Sequence, residues 1–418
     1  GPNNEGSRAG MAMIGHGGFD GSGRGRDHLT GDIYVDAGRN VTATAGDNRD
    51  TFVQIGHGGR VGYNDTEVLG EIGGTIDVLA RTGGIEFTAG KGIYAWAHIG
   101  HGGRDVDPEA LDSVNGVNSD ITVSAMGDIN FTGGIGGADG TGESYAQIGN
   151  GGIHSNVRTA NEGWYGNIMV TSTDGAITFQ AGDGVDAYAQ LGHGGRAARS
   201  GVGGDGHRGS ITVQAETGIN FRAGTVSSLE NVDEDGRLYA MLGHGGYDTD
   251  VNDSNDNFAG EGHHGDIIVN TTTGDINFLG GGAAGNTTVG AGLGRFHFVQ
   301  LGHGGYATGG DHHGNITVTA QDGGINFFGG RAFDNSSDGY NYAQLGHGAT
   351  EDQGNSGRSN ETTRVYALGA NGNINFQGGD RRSFAQLGNG GHNNDATHSG
   401  NIEVFAGNNI TVRGGMTP

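Results

Sequence analysis

The feature that most constrains this chain is an eight-residue string, "YAQLGHGG" at Tyr188–Gly195, which returns in nine related copies. The copies span 11–18, 52–59, 96–103, 145–152, 188–195, 239–246, 298–305, 342–349 and 384–391. Their glycine-flanked residue falls at His16, His57, His101, Asn150, His193, His244, His303, His347 and Asn389. Successive copies lie 41 to 59 residues apart, about 47 on average. A fixed unit of this length marks a repeat architecture, in which each unit buries its apolar face only against its neighbours. The scatter in spacing implies a constant scaffold carrying loops of variable length.

Two further segments belong to each unit. One reads "ITVQA" (Ile211, Val213 and Ala215 on one face), the next "INFRA" (Ile219, Phe221, Ala223), and "YAQLGHGG" follows. Equivalent pairs include Ile121/Val123 with Ile129/Phe131, and Ile316/Val318 with Ile325/Phe327. Strict alternation over five residues, rich in β-branched and aromatic side chains, specifies half-buried strands. Tight Gly-containing bends such as "MGD" and "TGD" link the first two segments. The expected fold is therefore all-β: a parallel β-helix, or β-solenoid, of about nine three-stranded rungs with long corner loops. Residues 1–418 form one continuous array. With rungs stacked about 4.8 Å apart, nine of them make a rod about 43 Å long. A β-propeller is the alternative, since blade repeats have similar periods, but blades normally use four strands.

Composition agrees with a thin core and many bends. Glycine supplies 93 of 418 residues and proline three, which excludes collagen. Cysteine is absent, so thiolate metal sites and disulfides are excluded. The formal net charge of −25 argues against nucleic acid and anionic membranes as partners. No apolar run reaches membrane-spanning length, so direct membrane insertion is not expected. The two ends split one repeat: "MAMIGHGG" lies near the start, and "NIEVFAGNNITVRGG" near the close supplies the first and second segments. Such a split fits a window on a longer array, subunits stacking end to end by strand addition, or the closure of a propeller. A longer array or an end-to-end fibre is favoured.

Three sets of residues carry whatever chemistry the chain has. The His/Asn row reads as a structural ladder rather than a metal row. Asn is a poor transition-metal ligand, no co-ligand recurs at a fixed offset, and both residue types donate and accept hydrogen bonds and tolerate left-handed backbone. On the opposite face of the same strand stand Phe52, Trp96, Tyr145, Tyr188, Tyr239, Phe298, Tyr342 and Phe384, with Gln at 54, 147, 190, 300, 344 and 386. This aromatic row is either a minor core under folded-over loops, or an exposed interaction strip for lateral assembly or for stacking on sugar rings. The acidic loops "DVDPEALD" and "DTDVNDSNDN" offer oxygens at alternating positions. Their calcium candidates are Asp105, Asp107, Asp248, Asp250 and Asn252, although neither loop matches an EF-hand and solvated acidic loops are the plainer reading. No cofactor other than calcium is expected. Catalysis finds no local cluster of acids or of acid with base, no phosphate loop and no nucleophile elbow, so the chain is not expected to be an enzyme.

Strings such as "GDINF", "GNITVTA" and "SGNIEVFAG", repeated through a Cys-free, Gly/Asn/Thr-rich chain, resemble the filamentous-haemagglutinin type of bacterial β-strand-repeat protein. These surface or secreted proteins are exported by two-partner or autotransporter-like routes. The resemblance covers nearly the whole chain but is one of repeat style, so no functional residue is carried over. It implies a parallel β-helix shaft, a cell-surface or extracellular location, and a role in adhesion, cell–cell contact or matrix. The unit here is longer than the family's usual rung. The expected function is thus a structural extracellular solenoid, a segment of a giant surface adhesin or a fibre-forming subunit that pairs with itself. The alternative is a module binding glycans, other cells or calcium through the aromatic strip and acidic loops.

Overall fold

The computed structural model describes residues 10–19, 28–60, 69–110, 119–135, 142–157, 162–184, 186–200, 205–224, 238–249, 261–281, 297–330, 341–348, 350, 355–380 and 382–415. Every strand among them pairs in parallel, and no helix occurs among these residues. Three nine-stranded sheets run the length of the molecule, one for each of the three repeating segments. Neighbours within a sheet come from successive repeats. Ile211 pairs with Ile168 on one side and Ile267 on the other, and Phe221 pairs with Phe179 and Phe278. A propeller blade pairs strands close in sequence, usually as antiparallel hairpins. Parallel pairing at the repeat period makes this a β-solenoid.

The alternation seen in the sequence becomes burial. Ile121–Ala125 alternates buried and half-buried, and so does Ile129–Thr132. Their inward residues, with Ala and Leu or Ile of the third segment, form one continuous core along the axis. Within it the phenylalanines stack turn upon turn: Phe179, Phe221 and Phe278 lie 4.9 Å apart, centroid to centroid. Each fully buried Ile, Leu, Val or Phe contributes about 1.5–3 kcal/mol, so a narrow tube is stable once several turns share it. Outside the second sheet, an amide ladder links Asn220, Asn277, Asn326 and Asn375 at 2.8–3.0 Å.

The third segment departs from the expected rung. Tyr188–Leu191 is buried on both faces, as are its equivalents from Phe52–Ile55 to Tyr342–Leu345. After seven of the nine bends the chain forms a further short strand, such as Gly194–Arg196, and these seven make a fourth sheet. The rung therefore has four recurring strands, not three. The "GG" pair carries no alternating apolar signal, so this strand is not legible in the sequence. Glycine is required there: at Gly195 φ is +129°, and a Cβ would sit 2.6 Å from the Tyr188 hydroxyl and 2.4 Å from the Gly152 carbonyl oxygen.

Burial changes abruptly at the end turns. Ile410 is 53% and Val412 76% exposed, whereas their register partners Ile374 and Phe376 are 0% and 4% exposed. At the other end Met11 and Ile14 are half exposed, opposite the buried Phe52 and Ile55.

Candidate functional site

The histidine row lies at a corner of the tube, and each ring from His57 to His347 is fully used by the backbone. The His193 backbone N–H donates to Nδ1 of His244 (3.0 Å), and the His244 N–H donates to Nδ1 of His303 (3.0 Å). Nε2 of each ring then donates to a glycine carbonyl just before a first-segment strand: Gly166 for His193, Gly209 for His244 and Gly265 for His303. The rings stack at 4.7–4.8 Å. The two Asn copies reproduce the pattern. Asn150 Oδ1 accepts from the His101 N–H, while its Nδ2 donates to the Ser119 and Tyr165 carbonyls. Asn389 does the same between His347 and Ser399. In these rings one nitrogen accepts and the other donates, so no lone pair is left for a metal ion. Burial lowers His101 to about 3, and His193 and His347 to about 4, so the ladder is neutral at physiological pH. His16, on the first turn, is exposed and stacks on His57.

The aromatic row is not an exposed strip. Phe52, Trp96, Tyr145, Tyr188, Tyr239, Phe298 and Tyr342 are each at most 1% exposed, and Phe384 is partly buried. Their rings stack beneath the glycine strands, and Tyr145 donates to the Gly103 carbonyl at 3.1 Å. A backbone stripped of side chains can lie directly on the rings, so the row is a covered minor core and the surface that the strip alternative would offer to sugars is already buried. The glutamines beside them point into the bend as well. Gln190 Nε2 donates to the His193, Gly243 and Gly245 carbonyls.

The acidic candidates are engaged with protein groups. Asp105 lies 3.5 Å from Arg104 and 3.4 Å from His154, Asp107 accepts the Asn156 N–H, and Asp248 faces Arg199 at 3.3 Å. Asp105 and Asp248 occupy the same left-handed corner, φ 56° and 55°, on different turns. Pairing runs from Asp105 through Ile153–His154, Arg196–Ala197 and Tyr247–Asp248, which sets the two aspartates three turns, about 14 Å, apart. They cannot share one ion. Asp250 and Asn252 lie outside the described residues.

A different cluster was missed from sequence. Short strands Glu261–His264 and Asp311–His313 pair in parallel at the corner just before the first-segment strands Ile267–Thr271 and Ile316–Ala320, each carrying a His-His doublet. Strand alternation splits each doublet. His263 and His312 turn inward, fully buried, and extend a second ladder from His207 by the same N–H to Nδ1 bonds at 3.0 Å. His264 and His313 turn outward and stack at 4.8 Å. Above them, in register, come Arg208 and Tyr165, with the Arg208 guanidinium 5.4 Å from the ring. Glu261, His264 and His313 bring one ligating atom each to within 4.8 Å of the other two, the one such group found among the described residues. His264 also lines an open groove with Tyr165, Arg208 and Asp120. Glu361 faces Nδ1 of His313 at 3.3 Å. Burial would raise the Glu361 carboxyl, but bonds from His313 and from the Gly314 and Arg358 backbone hold it at about 2. The signal in the sequence was the doublet itself, present in "GHHGDI" and "DHHGNI" at equivalent places and nowhere else.

Comparison with known proteins returns no match to any family model, curated protein or solved structure. What the geometry defines is a class of architecture: a parallel β-solenoid with internal polar and aromatic ladders.

Proposed function

We propose that this chain is a structural shaft, a segment of an extracellular bacterial solenoid that works by stacking rung on rung. The observation that carries the reading is the unbroken parallel pairing of three sheets around one continuous core, so that each turn is completed only by the turn beside it. Unpaired parallel edges beside exposed core side chains favour the addition of a further rung. The surface is the same whether that rung belongs to one polypeptide or to a second copy. Location outside the cell and a part in adhesion, cell–cell contact or matrix rest on the repeat resemblance, to which the strongly acidic composition is suited. A glycan-binding role loses its main support with the burial of the aromatic row, and a calcium role with the ion-paired state of Asp105 and Asp248.

Sedimentation velocity and negative-stain microscopy of residues 1–418 test the shaft reading. Rods about 43 Å long, lengthening with concentration into multiples, are expected. Ile410→Lys with Val412→Lys should hold them at unit length. Ring-shaped or compact particles would overturn the shaft reading, and wild-type rods that stay single at every concentration would overturn joining between copies.

A further inference from the structure

The outward His pair differs from both buried ladders in one respect: its rings keep a nitrogen free. Nδ1 of His264 is bonded to the Gly262 carbonyl at 2.9 Å, and Nδ1 of His313 is held by Glu361. Both contacts are to acceptors, so in the neutral rings each Nδ1 carries the proton and each Nε2 keeps its lone pair. Holding one ring nitrogen by a carboxylate or carbonyl is how metal-binding histidines are oriented. His313 is 9% exposed, and its Nε2 makes no hydrogen bond. The nearest carboxylate oxygen to it, Oε2 of Glu261, lies 3.6 Å away. That is too long for a hydrogen bond. It is close to the ~3.3 Å separation of two ligands on a tetrahedral ion with bonds of about 2.0–2.1 Å. Arg358 bonds the other oxygen of Glu261 at 2.9 Å, which leaves Oε2 available on the His313 side.

We infer that Glu261, His264 and His313 form a binding site for one divalent transition-metal ion of the zinc class. Two imidazole nitrogens and one carboxylate oxygen suit Zn²⁺, Co²⁺ or Ni²⁺, whereas calcium favours an all-oxygen shell. The ligands come from two successive turns, so the ion clips neighbouring corner strands together. His264 is half exposed and opens on the groove beside Arg208, which gives the ion a way in and leaves room for water in the remaining positions. Glu361 is a positioning residue: it holds the His313 ring without reaching the ion. The same reasoning explains why the long His/Asn row is no metal row, since its ring nitrogens are both occupied. The site stands independently of the shaft reading, because it needs only two adjacent turns.

The test is isothermal titration of ZnSO4 into chelator-stripped protein, with Co²⁺ absorption spectra as a second readout. One Zn²⁺ per chain is expected, with d–d bands of a four- or five-coordinate cobalt site. Glu261→Gln and His264→Ala, both at accessible positions, should weaken binding at least tenfold while far-UV circular dichroism and melting of the metal-free protein stay as in wild type. Glu361→Gln should weaken it by about 10–100-fold. His28→Ala, at an exposed histidine elsewhere, should change nothing. The inference is overturned if Zn²⁺ binding does not saturate at one per chain. It is equally overturned if the folded Glu261→Gln and His264→Ala proteins bind as wild type does.

Discussion

The backbone N–H of His193 donates to Nδ1 of His244, a residue 51 positions further along the chain and one turn further along the axis. This single bond explains why the residue recurs and why Asn can stand in for it. The position must accept from one turn and donate to a carbonyl of a neighbouring corner, and both side chains can do so.

Replacing His244 by Ala strands the His193 N–H and the Gly209 carbonyl in a buried site, at about 1–3 kcal/mol for each group. His244→Asn keeps both bonds in the manner of Asn150 and should cost far less. Urea denaturation of the two variants should rank Ala well below Asn. Equal losses would show that ring stacking, not the bonding pattern, sustains the corner.

Acid should weaken the protein before its carboxylates titrate. Burial depresses His193 and His347 to about 4 in the folded state, against about 6.5 unfolded. Below pH 6.5 the unfolded chain takes up protons that the folded ladder refuses. Stability is therefore complete above that pH and falls as pH drops from about 6.5 towards 4, by on the order of 3 kcal/mol per histidine. Denaturation midpoints measured from pH 8 to pH 4.5 should decline over this window. The combined variant His193→Asn/His347→Asn should show a shallower decline, and an unchanged slope would place the effect elsewhere.

Gly195→Ala should be among the most damaging of conservative changes. The added methyl meets the Tyr188 hydroxyl and the Gly152 carbonyl at under 3 Å, on a backbone with φ +129°. Overpacking adds about 1–3 kcal/mol, and the left-handed strain a similar amount. Gly38→Ala, where nothing lies within 4 Å of the added atom, is the control and should melt like wild type.

Phe221→Ala opens a gap in the stacked core and should cost about 3–5 kcal/mol. In a nearest-neighbour array the damage stays local. Hydrogen exchange should accelerate in the strands of the adjacent turns, Ala176–Gln180 and Ile276–Leu279, and leave Ile85–Thr88 protected.

The sheets and the core were legible from the sequence because period-two alternation at Ile211–Ala215 and Gly218–Arg222 maps directly onto burial. The covering of Tyr188 was only half legible. An aromatic residue opposite a buried Ala reads equally well as a lid-covered core or an open strip, and the strand that decides between them, Gly194–Arg196, is nearly devoid of side chains. The His264–His313 pair escaped because its loop varies in length between repeats, which hides the register that brings the two doublets side by side. Spacing along a chain shows which residues repeat, but not which ring nitrogen remains free.

The His ladder also gives the rod a direction. Every donating N–H in it looks towards the later turn and every accepting Nδ1 towards the earlier one, from His57–His101 through His303–His347. The two end faces are consequently unlike, and a symmetric junction of two identical faces would set acceptor against acceptor or donor against donor. Only head-to-tail joining carries the bonding across a seam. Were copies to join as proposed, growth by that rule would be heterologous and open, giving a polar filament with two kinetically distinct tips rather than a closed pair.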